Sequence, residues 1–326
     1  MVGYSAEQLI RLQRTLRRRF RVAARPDLLE IGFGHVPLDR SSTGRPRLTC
    51  VFFTTDGQTG SSQSPSRRLP DEVTARVRDG RRYRTVRLPT RRVVAGGLEP
   101  SAASAEFSGT RFTLSAVISW RRTERRRREW GLLTVGHPFP ALQRIPAWQR
   151  LVEVRGERPF YGTLILRSRR GGRFDGAVIR TARDELAAAG LVPEHGHIGY
   201  RTARPLEQLG KDMGRSAELT VPGKHSRSFQ VQAFLPRMTI PGVGSLHYVL
   251  AGSAPRSKTF APGTSGAGWQ IEGQPACFQI AAVAPRYRIG FGQAVTSLLV
   301  WAETRLRRHH PDLVPGSIRL APIPPA

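Results

Sequence analysis

From residue 112 onward the sequence alternates apolar and polar residues in short runs, and this period of two limits the fold more than any other feature. Turn-forming residues separate the runs, which span 112–120, 130–135, 151–154, 161–166, 176–179, 229–235, 246–250 and 278–283. Such alternation is typical of half-buried β-strands, because successive side chains of a strand point to opposite faces. Many short strands separated by turns predict antiparallel barrels or sandwiches.

Helices are predicted near the two ends of the chain. Ser5 and Gln8 have the spacing of a capping box, and they precede four apolar residues that share one helical face: Leu9, Leu12, Leu16 and Phe20. This basic helix either docks its apolar face on the protein or presents its arginines to a partner, and both readings stay open. A second helix is predicted over residues 295–306.

The formal net charge is +28 over 326 residues, and only three of the 52 basic residues are lysines. This excess excludes an acidic, solvating protein and favours anionic partners, with nucleic acid left open among them. Residues 76–92 carry eight arginines, in either a solvated hairpin or a nucleic-acid patch.

Only two cysteines occur, Cys50 and Cys277, and they are far apart in the chain. This count excludes a disulfide-rich scaffold and a four-cysteine zinc site. No apolar run reaches the ~20 residues of a membrane span, and no signal peptide is recognisable. We therefore expect a soluble, cytoplasmic protein that does not contact a membrane.

Three segments contain the residue types of nucleophilic catalysis. His137 follows an apolar run, Asp175 precedes one, and Ser265 lies in a glycine-rich turn. Each signal is weak alone, but together they combine a nucleophile, a base and an acid. A serine hydroxyl needs an imidazole to accept its proton, and a carboxylate orients that imidazole and stabilises its cationic form.

These segments resemble the motifs of trypsin-like serine peptidases, in which histidine, aspartate and serine follow one another in this order. Residues 134–137, 175–178 and 263–266 match the three motifs, and the resemblance covers about residues 107–306. It implies that His137 is the general base, Asp175 orients it and Ser265 is the nucleophile. It also implies an oxyanion hole formed by the backbone amides of Gly263 and Ser265.

The same resemblance implies a substrate pocket that includes Thr259, Ala282 and Gly290. Thr259 stands at the predicted pocket floor, where no acidic residue is found, so we expect a neutral side chain at the cleaved position. Thr264 replaces the acidic residue that precedes the serine in digestive members, which favours the bacterial, intracellular type. The serine that often supports the buried aspartate is also missing, so another donor is needed.

The resemblance implies two antiparallel six-stranded β-barrels, within a peptidase domain at residues 101–306. The predicted divisions are barrel one at about 107–190, barrel two at about 200–295 and a closing helix at 295–306. Residues 1–100 are expected to form an N-terminal helix and an α+β extension, with a regulatory or docking role. Residues 307–326 are expected to form a Pro-rich tail.

The sequence thus predicts a serine endopeptidase that cleaves a protein substrate and needs no cofactor or metal. The histidines at 195 and 197 favour a polar loop over a zinc site. A latent form of the peptidase, which a partner protein activates, is also expected. By likeness of type, this form would belong to a bacterial response or defence system. The alternative is a catalytically silent protein on this scaffold, whose arginine patches contact nucleic acid or an acidic protein.

Overall fold

The computed structural model describes most of the chain. The described residues are 4–25, 27–35, 48–54, 69–79, 82–94, 98–100, 105–107, 110–124, 127–154, 158–221, 225–261, 264–283 and 286–323. The α-helices are α1 (Ala6–Arg19), α2 (Arg183–Ala188), α3 (Leu206–Leu209) and α4 (Val295–His309). The strands before the first predicted barrel are β1 (Leu28–His35), β2 (Leu48–Thr54), β3 (Glu72–Asp79), β4 (Arg82–Val94) and β5 (Leu98–Pro100).

The remaining strands follow the predicted rhythm of short runs and turns. The first group is β6 (Ala105–Phe107), β7 (Thr110–Phe112), β8 (Ala116–Trp120), β9 (Glu129–Thr134), β10 (Leu151–Val154), β11 (Phe160–Arg167) and β12 (Ala177–Thr181). The second group is β13 (Ser216–Thr220), β14 (Arg227–Ile240), β15 (Gly244–Ser253), β16 (Gly268–Ile271), β17 (Gln274–Val283), β18 (Ile289–Ala294) and β19 (Arg319–Pro322).

Six strands of the C-terminal half form a closed ring. Their order is β13-β16-β17-β18-β15-β14, and an antiparallel pairing between β13 and β14 joins the two ends. Closure leaves no free edge along the paired stretch, which is how small barrels avoid pairing with other chains. This ring corresponds to the second predicted barrel.

The other sheet contains eight strands in the order β19-β8-β9-β12-β11-β10-β6-β7. Strand β11 alternates buried and more exposed positions as the sequence pattern predicts, whereas β8 is buried along its whole length. The predicted fold class, mostly antiparallel strands in two units with few helices, is confirmed. One detail differs, because residues 319–322 of the predicted tail pair with β8 as strand β19.

The N-terminal segment continues the ring of the second half. Strand β1 pairs with β14 at Phe33 and Phe234, and β2, β4 and β3 follow it in order. Helix α1 begins at the predicted capping box and buries its leucines against this layer. The buried Gln13 amide donates to the carbonyls of Ile31 and Arg237, both at 2.7 Å, so it fixes the helix to two strands.

The arginine-rich stretch forms the hairpin of β3 and β4. Val77, Val86 and Leu88 are buried on one face, whereas Tyr83 at its tip is 71% exposed. The hairpin therefore packs its apolar face, and its arginine side chains at 76, 84 and 87 are exposed. A contact between these arginines and nucleic acid stays a prediction.

Helix α4 starts directly after β18 and packs on the eight-stranded sheet. Leu298 and Trp301 lie in one apolar cluster with Trp120 and Val178. The helix extends to His309, three residues beyond the prediction, since basic side chains in a last turn interact favourably with the helix dipole. No described helix has the length and apolarity needed to cross a bilayer. The domain boundaries stay a prediction.

A buried ion pair lies in the segment that links the two sheets. Arg204 donates to both carboxylate oxygens of Asp212, at 2.5 and 2.6 Å, and both side chains are almost fully buried. The more exposed Arg215 is 3.6 Å from the same carboxylate. Loss of one partner leaves the other charge buried without compensation, which usually costs several kcal/mol.

We expect Arg204→Leu to lower the free energy of unfolding by about 3 kcal/mol, at the lower end of the usual range because Arg215 remains. Urea unfolding would measure the change. The matched control is Arg201→Leu in the same linker, where the exposed side chain predicts a change below about 0.5 kcal/mol. Equal effects of the two substitutions would contradict the assignment.

Candidate active site

Strand pairing brings His137 beside Asp175. His137 follows β9, Asp175 precedes β12, and these two strands are antiparallel partners with Thr134 opposite Ala177. The end of β9 therefore lies beside the start of β12. Ser265 precedes β16 of the ring. Its carbonyl accepts from the amide of Thr113 at 2.8 Å, which fixes the serine turn to the segment between β7 and β8 of the eight-stranded sheet.

The three side chains form a continuous hydrogen-bonded chain. His137 Nδ1 lies 2.7 Å from Asp175 Oδ2, and His137 Nε2 lies 3.1 Å from Ser265 Oγ. Asp175 and Ser265 are buried, and only 11% of the His137 side chain is exposed. The structure thus places the three predicted residues within reach of one another, with the imidazole between the hydroxyl and the carboxylate.

Asp175 is held both through its carboxylate and through its own backbone amide. Its Oδ1 accepts from the amide of Gly136 at 3.0 Å, and its own amide donates to Gln293 Oε1 at 2.9 Å. The Gln293 amide group in turn donates to the carbonyls of Arg173 and His247. These contacts fix the aspartate although the supporting serine is missing.

The sequence patterns did not predict a role for Gln293. It is a fully buried amide on β18, between the glycine and the alanine that precede and follow it. Buried side-chain amides are almost always hydrogen-bonded, so a lone glutamine in a buried strand is a usable signal. Sequence alone, however, does not show which partner such an amide contacts.

The Ser265 hydroxyl has two acceptors for its single proton. Besides His137 Nε2, the carbonyl of Ile280 on β17 lies 2.9 Å from Oγ and can only accept. The hydroxyl has one proton, so it can donate either to the Ile280 carbonyl or to the imidazole at one time. Only the second arrangement prepares the oxygen for deprotonation by His137.

The turn that carries Ser265 depends on glycine at position 266. Gly266 has φ +93°, and an added Cβ would lie 2.0 Å from the carbonyl oxygen of Thr113. Its amide donates to the Gln279 carbonyl at 2.7 Å, which ties the turn to β17. The predicted oxyanion donor Gly263 lies outside the described residues, so that part of the prediction stays untested.

Two of the three predicted pocket residues are strand neighbours, and an aromatic ring packs on one of them. Ala282 and Gly290 are opposite each other on β17 and β18, and Thr259 is buried next to Phe260. An added Cβ on Gly290 would lie 2.5 Å from the Phe260 ring, so this ring packs directly on the glycine. The role of the three residues as a pocket stays a prediction.

A basic cleft of about 890 Å³ lies near the segment that carries His137, although His137, Asp175 and Ser265 do not line it. Its titratable lining consists of Arg144, Arg150, Arg167, Arg169, Arg170, Arg305 and His309. Arg167 donates to the carbonyl of Gly136, the residue before His137, which connects the cleft to the site. Burial and the charge of Arg170 lower the pKa of Arg167, while the charge of Asp175 acts in the opposite direction.

The other candidate groups are less suited to chemistry. Cys50 and Cys277 are buried and unpaired, and burial raises the pKa of Cys277 well above its ordinary value, which opposes a nucleophilic role. His195 and His197 are exposed. Within the described residues, no group of three or more histidine, cysteine, aspartate or glutamate side chains could hold a metal ion.

No protein-family model and no curated protein match the sequence. Solved structures do match. The chain is similar to Protease A of Thermobifida fusca, with 14% identity, a TM-score of 0.41, and coverage of 68% of this chain and 98% of that one. A Nocardiopsis protease has 14% identity, a TM-score of 0.39, and the same coverage. A Cellulomonas bogoriensis chymotrypsin has 17% identity, a TM-score of 0.37, and coverage of 63% and 95%. At this identity the likeness concerns the fold alone and says nothing about the activity of this chain.

Proposed function

We propose that this chain is a serine endopeptidase with Ser265 as nucleophile, His137 as general base and Asp175 as the residue that orients the histidine. The observation that carries the proposal is the hydrogen-bonded chain from Ser265 Oγ through both ring nitrogens of His137 to Asp175. Three polar groups of these types, buried together at the junction of two sheets, suit nucleophilic catalysis.

In the acylation step, His137 Nε2 accepts the Ser265 proton while Oγ attacks the carbonyl carbon of the scissile peptide. Asp175 holds the Nδ1 proton and stabilises the imidazolium. The imidazolium then protonates the leaving nitrogen, the carbon–nitrogen bond breaks, and the acyl group stays on Ser265. Water enters, gives its proton to His137 and cleaves the ester, which releases the second product and restores the serine.

The developing oxyanion needs backbone amides placed in advance, each worth roughly 3–4 kcal/mol of transition-state stabilisation. By resemblance to the trypsin-like motif we assign this role to the amides of Gly263 and Ser265. The mechanism needs no cofactor and no metal. The predicted cytoplasmic location, activating partner and nucleic-acid contacts stay predictions.

The basic cleft beside His137 favours an acidic protein substrate. Its lining includes six arginines, and none of the described residues that line it carries a carboxylate. Guanidinium groups bind carboxylates through paired hydrogen bonds, so acidic side chains of a protein substrate would fit in this cleft.

We expect the double variant Arg169→Gln with Arg170→Gln to raise KM for a glutamate-containing peptide about fivefold or more, because two exposed charge contacts are lost. The KM for the matching glutamine-containing peptide should stay unchanged, and so should kcat for both. Arg307→Gln on α4, exposed outside the cleft, serves as the control. A similar rise in KM for both peptides would argue against acidic recognition in the cleft.

Labelling with a fluorophosphonate, which reacts with activated serines, tests the proposed function. We expect the intact protein to be labelled at Ser265, and Ser265→Ala and His137→Ala to remove the label. Ser257→Ala, at an exposed serine eight residues upstream, is the matched control and should leave labelling unchanged. Labelling that survives in Ser265→Ala would refute the assignment of the nucleophile.

A further inference from the structure

One edge of β17 changes partners at the serine turn. Strand β16 pairs with it as far as Gly268 opposite Phe278. The next residue, Gln279, then bonds to the serine turn, with its carbonyl accepting from Gly266 and its amide donating to Ala267. The Ile280 carbonyl accepts from the Ser265 hydroxyl. Beyond Ile280, the edge is covered by a strand that comes from the N-terminal part of the chain.

That strand is β5, which runs antiparallel to β17. Pro100 lies opposite Ala281, Glu99 opposite Ala282, and Leu98 opposite Val283. The direction of β5 is therefore towards Ser265, and Pro100 lies opposite the residue that directly follows Ile280. An extended main chain thus lies on the edge next to the nucleophile, and Ser265 is fully buried.

The ring does not require β5. Its six strands close through the β13–β14 pairing, and β5 is attached to β17 outside that order. It pairs over three residues only. A short strand that covers an active edge without completing the barrel is better suited to occupying a binding site than to holding the fold together.

The position of Pro100 shows which residue of β5 forms backbone hydrogen bonds with β17. Opposite residues in an antiparallel pair alternate between those that exchange two backbone hydrogen bonds and those that exchange none. Pro100 has no N–H and cannot take part in an exchanging pair. The exchanging pair is therefore Glu99 with Ala282, and Leu98 with Val283 is a non-exchanging pair.

We propose that residues 98–100 of the chain itself occupy the edge of β17 at Ala281–Val283 in the resting protein, in place of the extended peptide segment of a substrate that would otherwise bind there. Peptides commonly bind by adding a strand to a free sheet edge. A tethered segment competes at an effective concentration in the millimolar range. The proposal rests on the proposed function, since the bound peptide is its substrate.

The test measures binding in a Ser265→Ala background, so that no turnover is needed. The probe is a fluorescent peptide with the sequence of residues 97–104, followed by fluorescence anisotropy. Adding Glu99→Pro removes the anchoring N–H and should free the edge, whereas the matched control Glu99→Ala keeps that N–H. We expect the proline variant to bind the probe at least tenfold more tightly than the alanine variant. Equal affinities, or no binding to either, would overturn the proposal.

A disulfide gives a second test that does not depend on how Glu99→Pro folds. Non-exchanging pairs have Cα atoms about 4.5 Å apart, within the range of a disulfide. Leu98→Cys with Val283→Cys, again with Ser265→Ala, should oxidise readily and lock β5 in place. The oxidised protein should bind the probe at least tenfold more weakly than the same protein after reduction with dithiothreitol. Failure to form the disulfide, or equal affinity in both states, would contradict the proposal.

The two hypotheses fail separately in these experiments. If the fluorophosphonate labels neither the intact protein nor Ser257→Ala, but the probe distinguishes Glu99→Pro from Glu99→Ala, the serine peptidase assignment is wrong and the resident strand is supported. If Ser265 is labelled but the probe binds the two variants equally, the peptidase assignment stands and the resident strand is overturned.

Discussion

Ser265→Ala is expected to lower kcat for peptide hydrolysis by about 10⁶-fold, and adding His137→Ala to it is expected to cost nothing further. The two residues act on one proton in one step, so that once either is missing the other has no role. Asp175→Asn should lose about 10⁴-fold, because the amide no longer favours the histidine tautomer that accepts from serine. Steady-state hydrolysis of a glutamate-containing peptide by the purified variants would measure these losses.

The non-additive pattern is what distinguishes catalysis from a structural effect. Two substitutions that merely destabilised the protein would add their losses, since independent effects on folding are additive. The free energy of unfolding of each variant, from urea titration, gives the correction. Losses that multiply in the double variant would contradict the proposed roles, and so would a Ser257→Ala control that loses activity to the same extent.

The fold class and the three site residues could be predicted from sequence because each depends on local signals. The alternation of apolar and polar residues that predicts a strand is visible among neighbouring residues. His137, Asp175 and Ser265 each stand where an apolar run meets a turn. Their order in the chain links them without knowledge of the sheet order. The pairing of β9 with β12 then accounts for the close approach of His137 and Asp175.

The remaining features of the site depend on contacts between distant parts of the chain. The second acceptor of the Ser265 hydroxyl is a main-chain carbonyl of Ile280, and every residue type has such a group. Strand β5 is three residues long and ends at the predicted division between the N-terminal extension and the peptidase domain. Its partner on β17 is more than 180 residues away, so no local pattern reveals the pairing.

The chain ends show the same limit. The N-terminal capping box predicts the start of α1 correctly, because the cap and the helix are adjacent in sequence. Strand β19 lies in a Pro-rich stretch with no alternation long enough to favour a strand. It forms because the edge of β8 is available to pair with it. Tertiary pairing can thus override a weak local preference.

The second large effect is expected at Gly266. With φ +93°, the position suits glycine, and a Cβ would lie 2.0 Å from the Thr113 carbonyl and 3.0 Å from Thr134 Oγ1. That Thr113 carbonyl also accepts from Thr134 Oγ1, and the Thr113 amide donates to the Ser265 carbonyl. The backbone on both sides of the serine is therefore held, so an added methyl group must displace the nucleophile.

We expect Gly266→Ala to lower the free energy of unfolding by about 2–5 kcal/mol, from backbone strain and overpacking together. A shift of Ser265 by about 1 Å should also lower kcat/KM by about 100-fold or more. Urea unfolding and peptide hydrolysis measure the two effects. Gly268→Ala is the matched control two residues away, because an added Cβ there has its nearest neighbour, the Ser115 carbonyl, at 4.0 Å. If both alanine variants keep full activity and stability, the serine turn is not held as the structure indicates, and the positioning of Ser265 must come from elsewhere.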